Sequence, residues 1–177
     1  MPDGLAFEGA GDALFDRAAD RLWFGHGHRS DLAAAAAVEA LIGVETVPLR
    51  LADPRYYHLD TCLCPLRDGW LLYYPGAFDA AGRAAIEARV GAERRIAVSA
   101  DQAAAFACNA VDLGDRIVVH RADADLRARL AAAGYTVIET PLGEFIKAGG
   151  SAKCLTLRLD EPAGARCGAA GRAGRAA

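Results

Sequence analysis

An order of elements that keeps returning constrains this chain more than any single residue does. Ala13–Phe15 and Leu22–Phe24 read as two short strands around a charged turn. Asp31 then offers an N-cap to the alanine-rich run Leu32–Leu41, Gly43 closes that helix, and Val44–Leu51 reads as a strand. A second copy runs through Leu59–Leu66, the turn Arg67-Asp68-Gly69, Trp70–Tyr74, a helix from Asp79 to Val90, and Arg95–Val98. A third runs through Ala107–Leu113, the turn Gly114-Asp115, Arg116–His120, a helix from Asp123 to Ala133, and Thr136–Leu142. Lys153–Leu159 reads as a strand opening a further unit. The pattern is a ββαβ unit of about 45 residues seen three times, and units of that size bury their apolar faces against neighbours. A doubly wound sheet would alternate strand and helix strictly. Paired strands before each helix predict an α/β ring or propeller instead.

Composition narrows the function. The 177 residues are 53% apolar and 24% charged, enough for one sizeable core and too ordered a mixture for a disordered chain. A formal net charge of -3 argues against a surface that binds nucleic acid. No apolar run approaches the ~20 residues that cross a bilayer, and the start has no export signal, so neither membrane nor secretion is expected. The five cysteines, Cys62, Cys64, Cys108, Cys154 and Cys167, are an odd number, which fits reduced thiols in the cytoplasm. From Ala163 to Ala177 the chain holds only Ala, Gly and Arg besides Cys167, so residues 161–177 read as a disordered basic tail behind a domain over residues 1–160.

Three segments could carry chemistry. Phe7-Glu8-Gly9-Ala10-Gly11-Asp12 sets two acids around glycines that permit a tight turn and a close ligand. In Tyr57 to Leu66, read as a strand, His58, Asp60, Cys62 and Cys64 fall on one face. Zinc frameworks separate paired cysteines by two to four residues and add a second pair elsewhere, so no metal is expected. The third segment, Glu144 to Cys154, places a Gly-Gly pair ahead of a thiol whose neighbour, Lys153, favours the thiolate. Cys62, Cys64 and Cys108 sit in apolar runs and read as buried small side chains. A Glu, a His with an Asp two places on, and a Cys in successive units suggest catalysis by a cysteine nucleophile.

These stretches resemble the dimethylargininase and arginine deiminase branch of the guanidino-group-modifying enzymes, the pentein superfamily. The resemblance rests on FEGAGD at Glu8, GHGHRSD around Arg29, YYHLDTCLCPL at His58, LLYYPGAF, CNAVDLG at Asn109 and EFIKAGGSAKC ending at Cys154. It implies a five-bladed propeller of ββαβ units around a polar channel, of which this chain holds a part. It implies Cys154 as nucleophile, His58 as general acid and base, Glu8 and Asp60 as carboxylates gripping a guanidinium, and Arg29 in the segment that reads a substrate carboxylate. Asp12 joins them as a substrate-binding acid. A small guanidino compound is the implied substrate, and no metal or organic cofactor is implied.

Family members usually begin with further units, so this chain resembles about three-fifths of a ring. An open arc leaves strand edges that favour self-association or a partner chain that completes the ring. Besides a hydrolase, two readings stay open: an amidinotransferase, and a remnant that holds a guanidino ligand without turning it over.

Overall fold

A computed structural model describes residues 3–157. Its first unit opens with a 3-10 turn at Gly9–Gly11 and strand β1 (Ala13–Phe15), antiparallel to β2 (Arg21–His26). Helix α1 (Leu32–Ile42) crosses over and returns the chain as β3 (Glu45–Arg50), parallel to β2. The second unit repeats this with a 3-10 turn at Leu59–Thr61, β4 (Leu63–Pro65), β5 (Leu71–Tyr73), α2 (Ala80–Glu87) and β6 (Arg95–Ala97). A short helix α3 (Ala100–Ala104) leads into the third: β7 (Val111–Asp112), β8 (Arg116–Val119), α4 (Ala124–Ala132) and β9 (Thr136–Glu139). One turn of helix, α5 (Gly143–Ile146), follows. The described residues thus form a mixed α/β fold of three separate three-stranded sheets, each with its middle strand antiparallel to the first and parallel to the last.

The helix ends follow from their side chains. Asp79 and Asp123 accept from Gly82 N at 2.7 Å and Leu126 N at 2.8 Å, capping α2 and α4. Ser99 and Gln102 form a reciprocal capping box that starts α3. Gly43 ends α1 at φ 71, a left-handed C-cap. Asp31 occupies the N-cap position of α1, but its carboxylate accepts from Ala6 N at 2.9 Å, tying the N-terminal loop to the helix start.

Strand β2 is buried on both faces. Leu22 and Phe24 pack against Ala34, Ala35, Val38 and Val44, while Trp23 enters a larger core that runs through all three units. Trp23 is fully buried, and its indole N–H reaches Asp16 Oδ2 at 3.1 Å. Each large side chain buried this way contributes about 2–3 kcal/mol.

Three expected strands are shorter or missing. Leu59–Leu66 is not one strand: Thr61 Oγ1 donates to His58 O at 2.6 Å, and Thr61 N to the same carbonyl at 3.2 Å, winding Leu59–Thr61 into a turn. The period-two alternation that put His58, Asp60, Cys62 and Cys64 on one face therefore does not hold there. Ala107–Leu113 shrinks to Val111–Asp112, because Asn109 N closes a turn onto Phe106 O at 3.0 Å. Over Lys153 to Leu157 the expected strand is a turn, with Thr156 N bonded back to Lys153 O at 3.2 Å. The remainder of that strand and the tail at 161–177 lie outside the described residues. No helix among the described residues is long and apolar enough to cross a membrane.

Candidate active site

The loops that open the units gather the side chains of interest. In the first, Glu8 N donates to Ser30 Oγ at 3.1 Å, and Ser30 Oγ donates to Asp12 Oδ2 at 2.7 Å. This holds the Glu8 loop against the segment before α1. From there Glu8 Oε2 lies 2.6 Å from His58 Nε2, across 50 residues of sequence. Arg29 Nη1 meets both Glu8 oxygens, at 3.3 and 3.2 Å, with its guanidinium 5.2 Å above the Tyr57 ring. The His58 contact first, and Arg29 with it, draws the Glu8 carboxyl below its usual range against a smaller desolvation effect. Gly11 is required by space: a Cβ there would come within 2.9 Å of His58 Nδ1 and push the imidazole away from Glu8.

The thiol stands at the other end of the site. Cys154 is exposed, whereas Cys62, Cys64 and Cys108 are buried. Its sulfur lies 3.6 Å from Asp60 Oδ2 and 3.1 Å from Asn109 Nδ2. Asp60 is 5% exposed, and its other carboxylate oxygen has no hydrogen-bond partner among the described residues. Burial pushes the Asp60 carboxyl up to about 6, only partly offset by Lys153 and His58. Burial and the Asp60 charge likewise push the Cys154 thiol above its ordinary value. Tyr57 bridges the two ends: its ring lies 4.9 Å from that of His58, and its hydroxyl donates to Gly149 O in the cysteine loop.

A cavity of about 310 Å³ lies beside this cluster, lined by apolar side chains of β1, β4 and β7 together with Asp60 and Lys153. Glu8, His58 and Cys154 do not line it, so the Glu8–His58 and Asp60–Cys154 contacts, not this hollow, mark the candidate site. Asp60 belongs to both. No three His, Cys, Asp or Glu side chains among the described residues are placed to hold a metal ion.

Of the residues singled out in the sequence, Glu8, His58 and Arg29 meet directly, as do Asp60 and Cys154. Asp12 does not offer a free carboxylate. It is fully buried, with Oδ2 bonded to Ser30 and Oδ1 accepting from Leu59 N at 3.0 Å, so it pins the turn behind His58 rather than facing a ligand. Asn109, Ser30 and Tyr57 were not singled out for roles. A buried amide in the apolar run Ala107 to Val111 is the signal that points to Asn109.

The family model for N,N dimethylarginine dimethylhydrolase, eukaryotic, matches residues 2–160. The chain belongs to this family. It is 54% identical over 162 residues, 92% of its length, to the bifunctional arginine dihydrolase/ornithine cyclodeaminase ArgZ of Synechocystis sp.. It is 40% identical over 152 residues, 86% of its length, to the N(G),N(G)-dimethylarginine dimethylaminohydrolase of Mycobacterium tuberculosis. It spans 23% of the first relative's length and 49% of the second's. Among solved structures, the N-terminal domain of ArgZ with a covalently bound reaction intermediate superposes with a TM-score of 0.89 at 54% identity, over 92% of this chain and 60% of that one. A dimethylargininase variant from Pseudomonas aeruginosa complexed with citrulline shares the fold, with a TM-score of 0.67 at 22% identity over 84% of this chain and 54% of that one.

Proposed function

We propose that this chain carries the catalytic half of a cysteine-dependent hydrolase that converts an arginine-type guanidinium to a ureido product, releasing ammonia or an alkylamine. The observation that carries the reading is the Cys154 sulfur 3.6 Å from the buried Asp60 carboxylate, 94 residues away in sequence. A planar cation with several N–H donors is held by carboxylates in charge-assisted pairs, and Asp60 keeps one oxygen unpaired for that purpose. Arrival of the cation beside Asp60 also removes the charge that opposes thiolate formation.

In this reading Cys154 gives its proton to His58 and forms an S–C bond to the guanidinium carbon. The C–N bond breaks, and the departing amine takes the proton from His58. His58, oriented by Glu8, then accepts a proton from water as the water oxygen bonds to the same carbon. The C–S bond breaks, the ureido product leaves, and the proton returns to the sulfur. Arg29 is the cation within reach for a substrate carboxylate, once that carboxylate draws it from Glu8. Arginine ranks first among substrates because the 54%-identical relative is named for it, and methylated arginines second.

The three sheets are further read as three units of a five-bladed ring, within a domain over residues 1–160. The alignment over 60% of the ArgZ domain supports this. The remaining walls of the substrate site would come from other units, in the same polypeptide or in a partner.

The test is an assay for ureido product and released amine on arginine, methylated arginine and agmatine. It uses the chain alone and a form carrying further ββαβ units ahead of Asp3. Product from the extended form, much less from the chain alone, and none from Cys154→Ser is expected. No product from either form on any substrate would overturn the hydrolase in favour of a ligand-holding protein.

A further inference from the structure

Asn109 occupies in the third unit the place that Asp12 occupies in the first. Each lies three residues after a left-handed position, Phe106 at φ 58 and Gly9 at φ 60. Each closes the same backbone bond, Asn109 N to Phe106 O and Asp12 N to Gly9 O, both at 3.0 Å. Asn109 is fully buried, and all its polar atoms are engaged. Its Oδ1 accepts from Ser151 N at 3.0 Å and from Cys154 N at 3.2 Å. Its Nδ2 donates to Asp60 O at 3.0 Å and lies 3.1 Å from the Cys154 sulfur. Its backbone carbonyl accepts from Lys153 N at 3.2 Å.

We propose that Asn109 is the positioning residue of Cys154: its amide oxygen fixes the loop that carries the thiol, and its amide N–H is turned toward the sulfur to hold the thiolate. The proposal rests on the reading of Cys154 as nucleophile. The chemistry selects this side chain. A carboxylate of the same shape would keep both backbone bonds but set a negative charge against the sulfur. An apolar side chain would leave the Ser151 and Cys154 N–H groups without an acceptor. The other charged or titratable groups around the sulfur are Asp60 at 3.6 Å, Lys153 beside it in the chain, and Tyr57, anchored to Gly149. Burial and Asp60 raise the thiol, while the Asn109 amide and the Ser151 backbone bring it partly back down. Asn109 is thus the side chain that works against Asp60 at the sulfur.

The test is the pH dependence of Cys154 alkylation by iodoacetamide, read by peptide-resolved mass spectrometry on the full chain. Wild type is compared with Asn109→Ala and Asn109→Asp. The thiolate is the reacting species, so the midpoint of the rate profile reports its ionisation. The midpoint is expected to rise by about one pH unit in Asn109→Ala and by more in Asn109→Asp, with about ten-fold or greater loss of labelling rate at neutral pH. A role in packing alone would lower the melting temperature without ordering the midpoints this way. An unchanged midpoint in a folded variant, or loss of folding in both, would overturn the proposal. Substrate turnover is a separate readout. Turnover with unmoved midpoints would sink the role of Asn109 and spare the hydrolase, and moved midpoints without turnover would do the reverse.

Discussion

Two seams between units hold the site together, and they use one position of the repeat with different side chains. At the first seam Asp12 reaches Leu59 N, directly behind His58; at the second Asn109 reaches Ser151 N and Cys154 N. Both accept from backbone N–H groups of a later turn. The Asp12 carboxylate at the first seam bonds to one O–H and one N–H donor, so an acceptor suffices there. The second seam faces the Cys154 sulfur, and there an amide supplies a donor as well. In the second unit the same place is Cys62, fully buried, whose thiol reaches only into its own turn, to Leu59 O at 3.5 Å. Its thiol is pushed well above the ordinary value by burial, so it is an inert occupant of a position that elsewhere carries a strut. The repeat supplies the position, and the side chain placed there decides what it does.

The comparison breaks most readily at Asp12. Asp12→Ala strands the Leu59 N–H and the Ser30 hydroxyl and should cost about 2–3 kcal/mol in urea denaturation. It should leave the Cys154 alkylation midpoint where it is, unlike either Asn109 variant; a shifted midpoint would mean that the two seams are one network. A second effect separates structural from functional carboxylates. Asp60 is pushed up to about 6 when folded, so the folded state binds its proton more tightly than the unfolded chain does. Its share of stability is therefore full below about pH 4 and lost as pH rises through about 6, roughly 2–3 kcal/mol in all. Asp60→Asn should remove that slope, melting higher than wild type at pH 7.5 and equally at pH 3.5. Parallel melting curves across that range would show that Asp60 is ionised at no cost. The smallest effect concerns the left-handed residue before each strut. Gly9→Ala meets no neighbouring atom within 4 Å, so its cost, about 1 kcal/mol by chemical denaturation, should be backbone strain alone. Phe106 bears that same strain with a bulky side chain, so a neutral Gly9→Ala would mean that the two turns are not alike.

Much of the repeat was legible because its punctuation is strong. Asp31 and Gly43 bracket α1, Asp79 and Asp123 cap α2 and α4, and the charged turns separate β1 from β2 and β7 from β8. The errors cluster where the site is built. Leu59–Thr61 has no Gly or Pro, so an apolar run with a β-branched residue reads as strand; the Thr61 hydroxyl, by taking the His58 carbonyl, makes a turn. Helix α3 escaped notice although Ser99 and Gln102 carry a capping-box spacing, because five residues show no apolar period. Glu8, His58, Asp60 and Cys154 stood out by residue type and setting, Arg29 by resemblance, and they come together in two linked contacts. The role of Asn109 was hidden because an amide side chain has no chemistry of its own. Its meaning lies in what two distant turns bring to it.

The long sequence intervals across these contacts also impose an order in time. Asp60 and Asn109 leave the ribosome well before Cys154, which reaches them across intervals of 94 and 45 residues. Until the Cys154 loop docks on both earlier units, the sulfur is an ordinary thiol with neither a carboxylate nor an amide beside it. The cluster around Cys154 is thus a product of docking between distant turns, and a chain stalled before Cys154 has emerged holds Asp60 and Asn109 without the thiol they meet.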